Sequence, residues 1–223
     1  MNATVFPPLK DCPQPPLTDT QKRILELKKE RDAVILAHNY VCPEIQDVAD
    51  YVGDSLGLSR QVKKAGAKVI AFAGVDFMAE TAKILNPDKT VVIPDRAAGC
   101  SLEELCEPLE LAAFKKKHPG AIVISYINCG AGVKELSDII CTSGNALDIV
   151  RQIPADKEII FCPDQNLGSW IIEQTGRDMI LWDGYCRAHV QYNAEELLEA
   201  KKAFGGAPLV CHPECPKAVR DVS

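Results

Sequence analysis

Three short segments of the sequence end in side chains that bind anions or move protons: His38-Asn39-Tyr40, Tyr126-Ile127-Asn128 and His212-Pro213-Glu214. Imidazole, phenol and carboxylate groups together offer donors and acceptors close to neutral pH. The segments recur at a nearly fixed interval, with 88 residues from His38 to Tyr126 and 86 from Tyr126 to His212. Either histidine alone reads equally well as an ordinary loop residue; the matched positions favour a shared role. Ser55, in Gly53-Asp54-Ser55, and Ser143, in Cys141-Thr142-Ser143, also lie 88 residues apart. Each precedes a helix-like segment, where hydroxyl and backbone N–H groups bind carboxylate or phosphate or simply cap the helix. Cys100 and Cys186, 86 residues apart, each follow a glycine closely. They are either structural thiols or ligands to a metal or cluster on a repeat axis. Three equivalent thiolates on a four-iron cluster would leave one iron open to substrate.

The remaining cysteines read differently. Cys106, Cys129, Cys141 and Cys162 fall in apolar surroundings and resemble buried strand or helix thiols. Cys211-x3-Cys215 has a spacing found in zinc sites, but no second pair completes it. Gly53-x3-Gly57 lacks both the lysine of a P-loop and the dinucleotide fingerprint.

Such residues need elements to hold them, and the sequence supplies an alternating set. Helix starts are expected at Thr18 with Gln21, at Ser101 with Glu104 and at Asn193 with Glu196, each with a capping-box spacing. Each leads to a short apolar strand, over Val34–Ala37, Ile122–Ser125 and Pro208–Cys211. Further strands are expected at Val69–Ala73 and Thr90–Pro94, matched by Glu158–Cys162 and Asp178–Trp182. Alternation of this kind implies parallel α/β units, whose ligands bind beyond the carboxyl ends of the strands.

A unit of about 86 residues therefore repeats. The predicted fold is α/β, with three-layer α/β/α units and parallel sheets around a pseudo-threefold axis, the third unit incomplete. The division is an N-terminal arm 1–17, rich in proline, then repeats 18–100 and 101–186, and the start of a third at 187–223. Roughly sixty more residues would complete the third at the same period, and the tail bearing His212 and Glu214 is expected to be held by few contacts.

The bulk properties narrow the function classes. Of 223 residues, 47% are hydrophobic and 25% charged, enough for a sizeable core. A formal charge of −6 argues against a general nucleic-acid binder, though not against a small anionic substrate. The longest apolar stretch, Val69 to Val75, is far short of the ~20 residues that span a membrane. No secretory signal pattern opens the chain, so the ten cysteines are expected in the reducing cytoplasm.

Several segments carry a resemblance to a known family. Ala37-His38-Asn39-Tyr40, Val52-Gly53-Asp54-Ser55-Leu56, Phe77-Met78-Ala79-Glu80-Thr81, Ala98-Gly99-Cys100, Pro163-Asp164-Gln165-Asn166-Leu167-Gly168, Gly184-Tyr185-Cys186-Arg187-Ala188-His189 and His212-Pro213-Glu214-Cys215 resemble, in order, those of quinolinate synthase, an iron–sulfur enzyme of NAD biosynthesis. The resemblance runs from about residue 18 to the end. It implies condensation of iminoaspartate with dihydroxyacetone phosphate to quinolinate, phosphate and water, and functional coupling to an aspartate-oxidising enzyme. It also implies a [4Fe-4S] cluster on three cysteines, two of them Cys100 and Cys186, the third belonging beyond Ser223. His38, Ser55, Tyr126, Asn128, Ser143 and His212 would then bind substrate, and Tyr40 and Glu214 would handle protons. Asp76 departs from the family pattern, in which many relatives have His. Two other readings stay open on the residues alone: an anion- or metal-binding remnant without catalysis, and a cluster-dependent hydro-lyase acting on another hydroxy acid.

Overall fold

A computed structural model describes residues 16–55, 57–58, 61 and 66–223. The proline-rich arm up to residue 15, and most of the segment after Ser55, lie outside the described residues. The first sheet contains β1 (Ala33–His38), β2 (Tyr51–Gly53), β3 (Val69–Ala73) and β4 (Thr90–Val92), in the order β2-β1-β3-β4. The second contains β5 (Ile122–Tyr126), β6 (Ile139–Cys141), β7 (Ile159–Cys162) and β8 (Ile180–Leu181), in the order β6-β5-β7-β8. All six strand pairings among the described residues are parallel. The continuous apolar runs of β1, β5 and β7 follow from this, because strands of a parallel sheet are covered on both faces.

The two sheets repeat in detail. Leu36 is registered with Tyr51 as Ile124 is with Ile139. The Asp50 carboxylate accepts the Ile35 N–H at 2.8 Å, and the Asp138 carboxylate accepts that of Val123 at the same distance. Each aspartate thus completes the hydrogen bonding of the central strand just before its short edge strand begins. The edge strands β2 and β6 were not foreseen; three residues are too few to show a period. Asp138→Ala leaves the Val123 N–H without its acceptor and is expected to cost about 1–3 kcal/mol, read from urea unfolding of this chain.

Helix starts explain two differences from expectation. Thr18 caps α1 (Asp19–Glu30) through a complete capping box with Gln21, as the sequence implies. At Ser101 there is only a turn and a 3-10 segment, Glu103–Leu105. The helix begins later, at Pro108–Lys117, after the extended Glu107. Proline cannot donate an N–H and disfavours helical geometry in the residue before it, so it sits at the first position of the helix. Asn193 caps Ala194–Ala203 by accepting from the N–H groups of Glu195 and Glu196.

The third expected strand is not formed. Pro208–Cys211 pairs with nothing among the described residues, and Val210 is 94% exposed. A lone extended segment has no ladder to satisfy its backbone groups. The tail after it is nevertheless well held, contrary to expectation. Arg220 donates to the carbonyl oxygens of Cys215 and Asn166 and pairs with Glu173 of the helix Gln165–Thr175.

The main core is shared between both sheets, with Leu36 and Phe72 of the first sheet and Phe77 of the helix Asp76–Leu85 packed in one cluster with Ile124 and Phe161 of the second sheet and Leu167 of the helix Gln165–Thr175. A smaller cluster on the other face of the second sheet holds Cys106, Cys129 and Cys162 with Leu111 and Ile160. No helix among the described residues is long and apolar enough to cross a membrane.

Candidate active site

The carboxyl ends of β1, β2, β5 and β6 open on one cavity of about 510 Å³. His38 and Tyr40 reach it from β1 and its following turn, Asp54 and Ser55 from the end of β2. Tyr126 and Asn128 enter from β5, Ser143 from β6, and Cys186 and His189 from the loop after β8. The tail closes it with His212 and Glu214. Of the ten residues singled out from the sequence, the remaining one, Cys100, lines a neighbouring cavity of about 360 Å³ with Asp76 and Glu103.

The tail and the second sheet meet in a buried charge cluster. Glu214 is 2% exposed, with one carboxylate oxygen 2.9 Å from His189 Nδ1 and the other 3.7 Å from His212 Nδ1. The contact with His189 is an ion pair rather than a well-directed hydrogen bond. The two imidazoles stack with centroids 4.9 Å apart. Burial alone would raise the Glu214 carboxyl, but His189, His212 and the Tyr126 hydroxyl outweigh it and hold the group below its usual range. The Cys186 thiol and then Glu214 push His189 up to about 10. Burial, then the Glu214 charge, pushes the Tyr126 phenol far up, so it stays protonated.

On the first sheet, the His38 and Tyr40 rings lie 4.0 Å apart, and the Tyr40 hydroxyl accepts the Val75 N–H at 3.1 Å. Burial raises the Tyr40 phenol and lowers the His38 imidazole, the latter against the opposing charge of Asp54. The site thus offers protonated phenols, a neutral imidazole at His38 and an ionised carboxylate at Glu214.

Two side chains given no role from the sequence support this arrangement. Asp164, fully buried, accepts the Leu167 N–H at 2.7 Å and the Cys186 N–H at 3.0 Å, tying the thiol's backbone to the end of β7. Gly184 allows that approach, since a Cβ there would overlap the Pro163 carbonyl oxygen. His189 is the other. Both stood in segments carrying the resemblance, but only their contacts reveal a role.

A family model described as "Quinolinate synthetase A protein" matches residues 22–223. The chain belongs to the quinolinate synthase family. Its similarity to the quinolinate synthase of Thermosynechococcus vestitus is 58% identity, over 93% of this chain and 66% of the relative. To that of a Synechocystis species it is 55%, over 98% and 68%. A Synechococcus relative is 57% identical over 96% of this chain and 66% of its own length. The chain thus spans about two thirds of the length of the curated relatives it matches. Quinolinate synthase is an enzyme of NAD biosynthesis.

Within this chain the thiols divide into two kinds. Burial pushes the Cys100 thiol up, against the opposing effect of the Glu103 and Leu102 backbone N–H groups. Cys106 and Cys162 lie together in the smaller core, and burial holds Cys129 and Cys141 protonated. Among the described residues, donor atoms of Cys186, His189 and Glu214 lie within 4.8 Å of one another, close enough to hold a metal ion.

Asp76 also gains a setting. Glu103 is pushed up to about 8, first by burial and then by the charge and hydrogen bond of Asp76, with Glu80 adding to both. A neighbouring carboxylate makes the ionised form of Glu103 costlier still. Asp76→Asn removes one negative charge, so Glu103 is expected to titrate below its present value yet above 4.5, its ordinary one. Carboxyl carbon NMR of a Glu-labelled chain measures this directly.

Proposed function

We propose that this chain supplies the substrate cavity of a quinolinate synthase that condenses iminoaspartate with dihydroxyacetone phosphate to quinolinate, phosphate and water. The observation that carries the reading is the convergence of polar side chains from both sheets and the tail on one cavity. Its residues suit these substrates. His38, Ser55, Tyr126, Asn128, Ser143 and His212 would bind the carboxylates, carbonyl and phosphate. Glu214, held ionised, would accept a proton, and Tyr40, held protonated, would donate one as water leaves.

Cys100 and Cys186 would hold a [4Fe-4S] cluster. The donor set fits: two partly buried thiols line neighbouring cavities on the side of the sheets where the polar residues converge. When bound, the cluster supplies a Lewis acid that makes a substrate hydroxyl a better leaving group. Asp164 would fix the Cys186 backbone and thereby the direction of its thiol. We read residues 18–100 and 101–186 as two repeats and 187–223 as the start of a third. The enzyme would work in the cytoplasm, coupled to an aspartate-oxidising enzyme.

Anaerobic reconstitution with iron and sulfide, in this chain and in one extended to the length of its relatives, tests the reading. Stoichiometric iron and sulfide with quinolinate formation in the extended chain is the expected result; absence of quinolinate there overturns it. The trio Cys186, His189 and Glu214 favours a second reading, a single metal ion at this corner. Iron bound without acid-labile sulfide would select it.

A further inference from the structure

We infer that Cys211 and Cys215 form a reversible dithiol site, oxidised by small-molecule disulfides, whose closure constrains the turn that carries His212 and Glu214. The inference is independent of the proposed condensation, and its test needs neither cluster nor substrate.

Both cysteines are free and line one cavity of about 240 Å³, together with His189 and His212. They lie four residues apart, on either side of the turn that carries Pro213 and Glu214. Neither joins a third donor in a metal-binding group among the described residues, so the spacing is left without a zinc site. Their settings differ in a way that suits thiol–disulfide exchange. Cys215 is 2% exposed and clamped: its N–H donates to the His212 carbonyl at 2.9 Å and its own carbonyl accepts from Arg220 at 2.8 Å. Cys211 is only half-buried and ends the extended segment that makes no ladder. One thiol is reachable; the other is fixed and sheltered.

The order of events follows. The Cys211 thiolate attacks an external disulfide, forming a mixed disulfide and releasing one thiolate. Cys215 then attacks the Cys211 sulfur, releasing the second thiol. Two protein thiols lose two electrons and two protons; the external disulfide gains them and becomes two thiols. The ring so closed contains His212, whose Nδ1 accepts the Glu214 N–H at 3.2 Å, and Glu214 itself. Oxidation therefore acts on the corner of the cavity where the carboxylate is paired.

The test treats the folded 223-residue chain with oxidised glutathione and examines the tryptic peptide between Lys202 and Lys217, which contains both cysteines. The expected product lacks two hydrogen atoms, carries no glutathione and is restored by dithiothreitol. In C215S a glutathione adduct should persist on Cys211; in C211S the peptide should remain unmodified. On oxidation the His212 ring resonance should move while that of His118 stays. A wild-type chain that stops at the adduct, or does not react, overturns the site. A disulfide that leaves the His212 resonance unmoved overturns its link to the cavity.

Discussion

Cys186→Ala is expected to abolish the brown iron–sulfur chromophore and reduce quinolinate formation to background in a chain of the relatives' length, and Cys100→Ala to do the same. A cluster short of one thiolate loses iron to water and cannot hold an open iron in place. The fold should survive either change. Both side chains are only partly buried, so unfolding free energies should stay within about 0.5 kcal/mol of the parent. Cys162→Ala gives the opposite pattern. That thiol is fully buried beside Cys106 and Ser125, so its loss should cost about 0.5–3 kcal/mol while iron content is kept. Iron and sulfide counts with urea unfolding on the three variants read both effects. Full iron in both Cys100 and Cys186 variants would remove these residues from the cluster.

Glu214→Gln should lower kcat by about 10²–10⁴-fold, the range expected for loss of a positioned proton acceptor. Gln keeps the shape of the side chain and can still meet Tyr126 and His189, so the turn and the substrate affinity should change little. Its charge is what disappears: a carboxylate held ionised by His189, His212 and Tyr126 becomes an amide that takes up no proton. A fall in kcat with KM nearly unchanged is the expected signature. A kcat equal to that of the parent enzyme would exclude Glu214 from the chemistry.

The sequence by itself determined the class of fold and most of the cavity's lining. Apolar runs such as Val34–Ala37 and Ile122–Ser125 read as buried strands, and their regular return with helices between them implies parallel units, as the observed strands Ala33–His38 and Ile122–Tyr126 bear out. Polar residues placed just after such runs must lie at the carboxyl ends of strands, which is why His38, Tyr126 and their neighbours were legible. Local rules also found the caps at Thr18 and Asn193, and failed at Ser101, where Pro108 overrode a capping-box spacing.

Only the tertiary structure decided which of these groups touch. Nothing in the spacing places His189 against Glu214, joins Cys106 to Cys162, or sets Cys100 in a cavity beside the one that Cys186 lines. The tail illustrates the reason. Arg220 anchors it to a helix that lies some fifty residues earlier in the chain, and that anchor buries Glu214 at the rim of the second sheet. Periodicity and capping report interactions across a few residues, whereas ionisation and proton sharing depend on distances set by packing between elements remote in sequence.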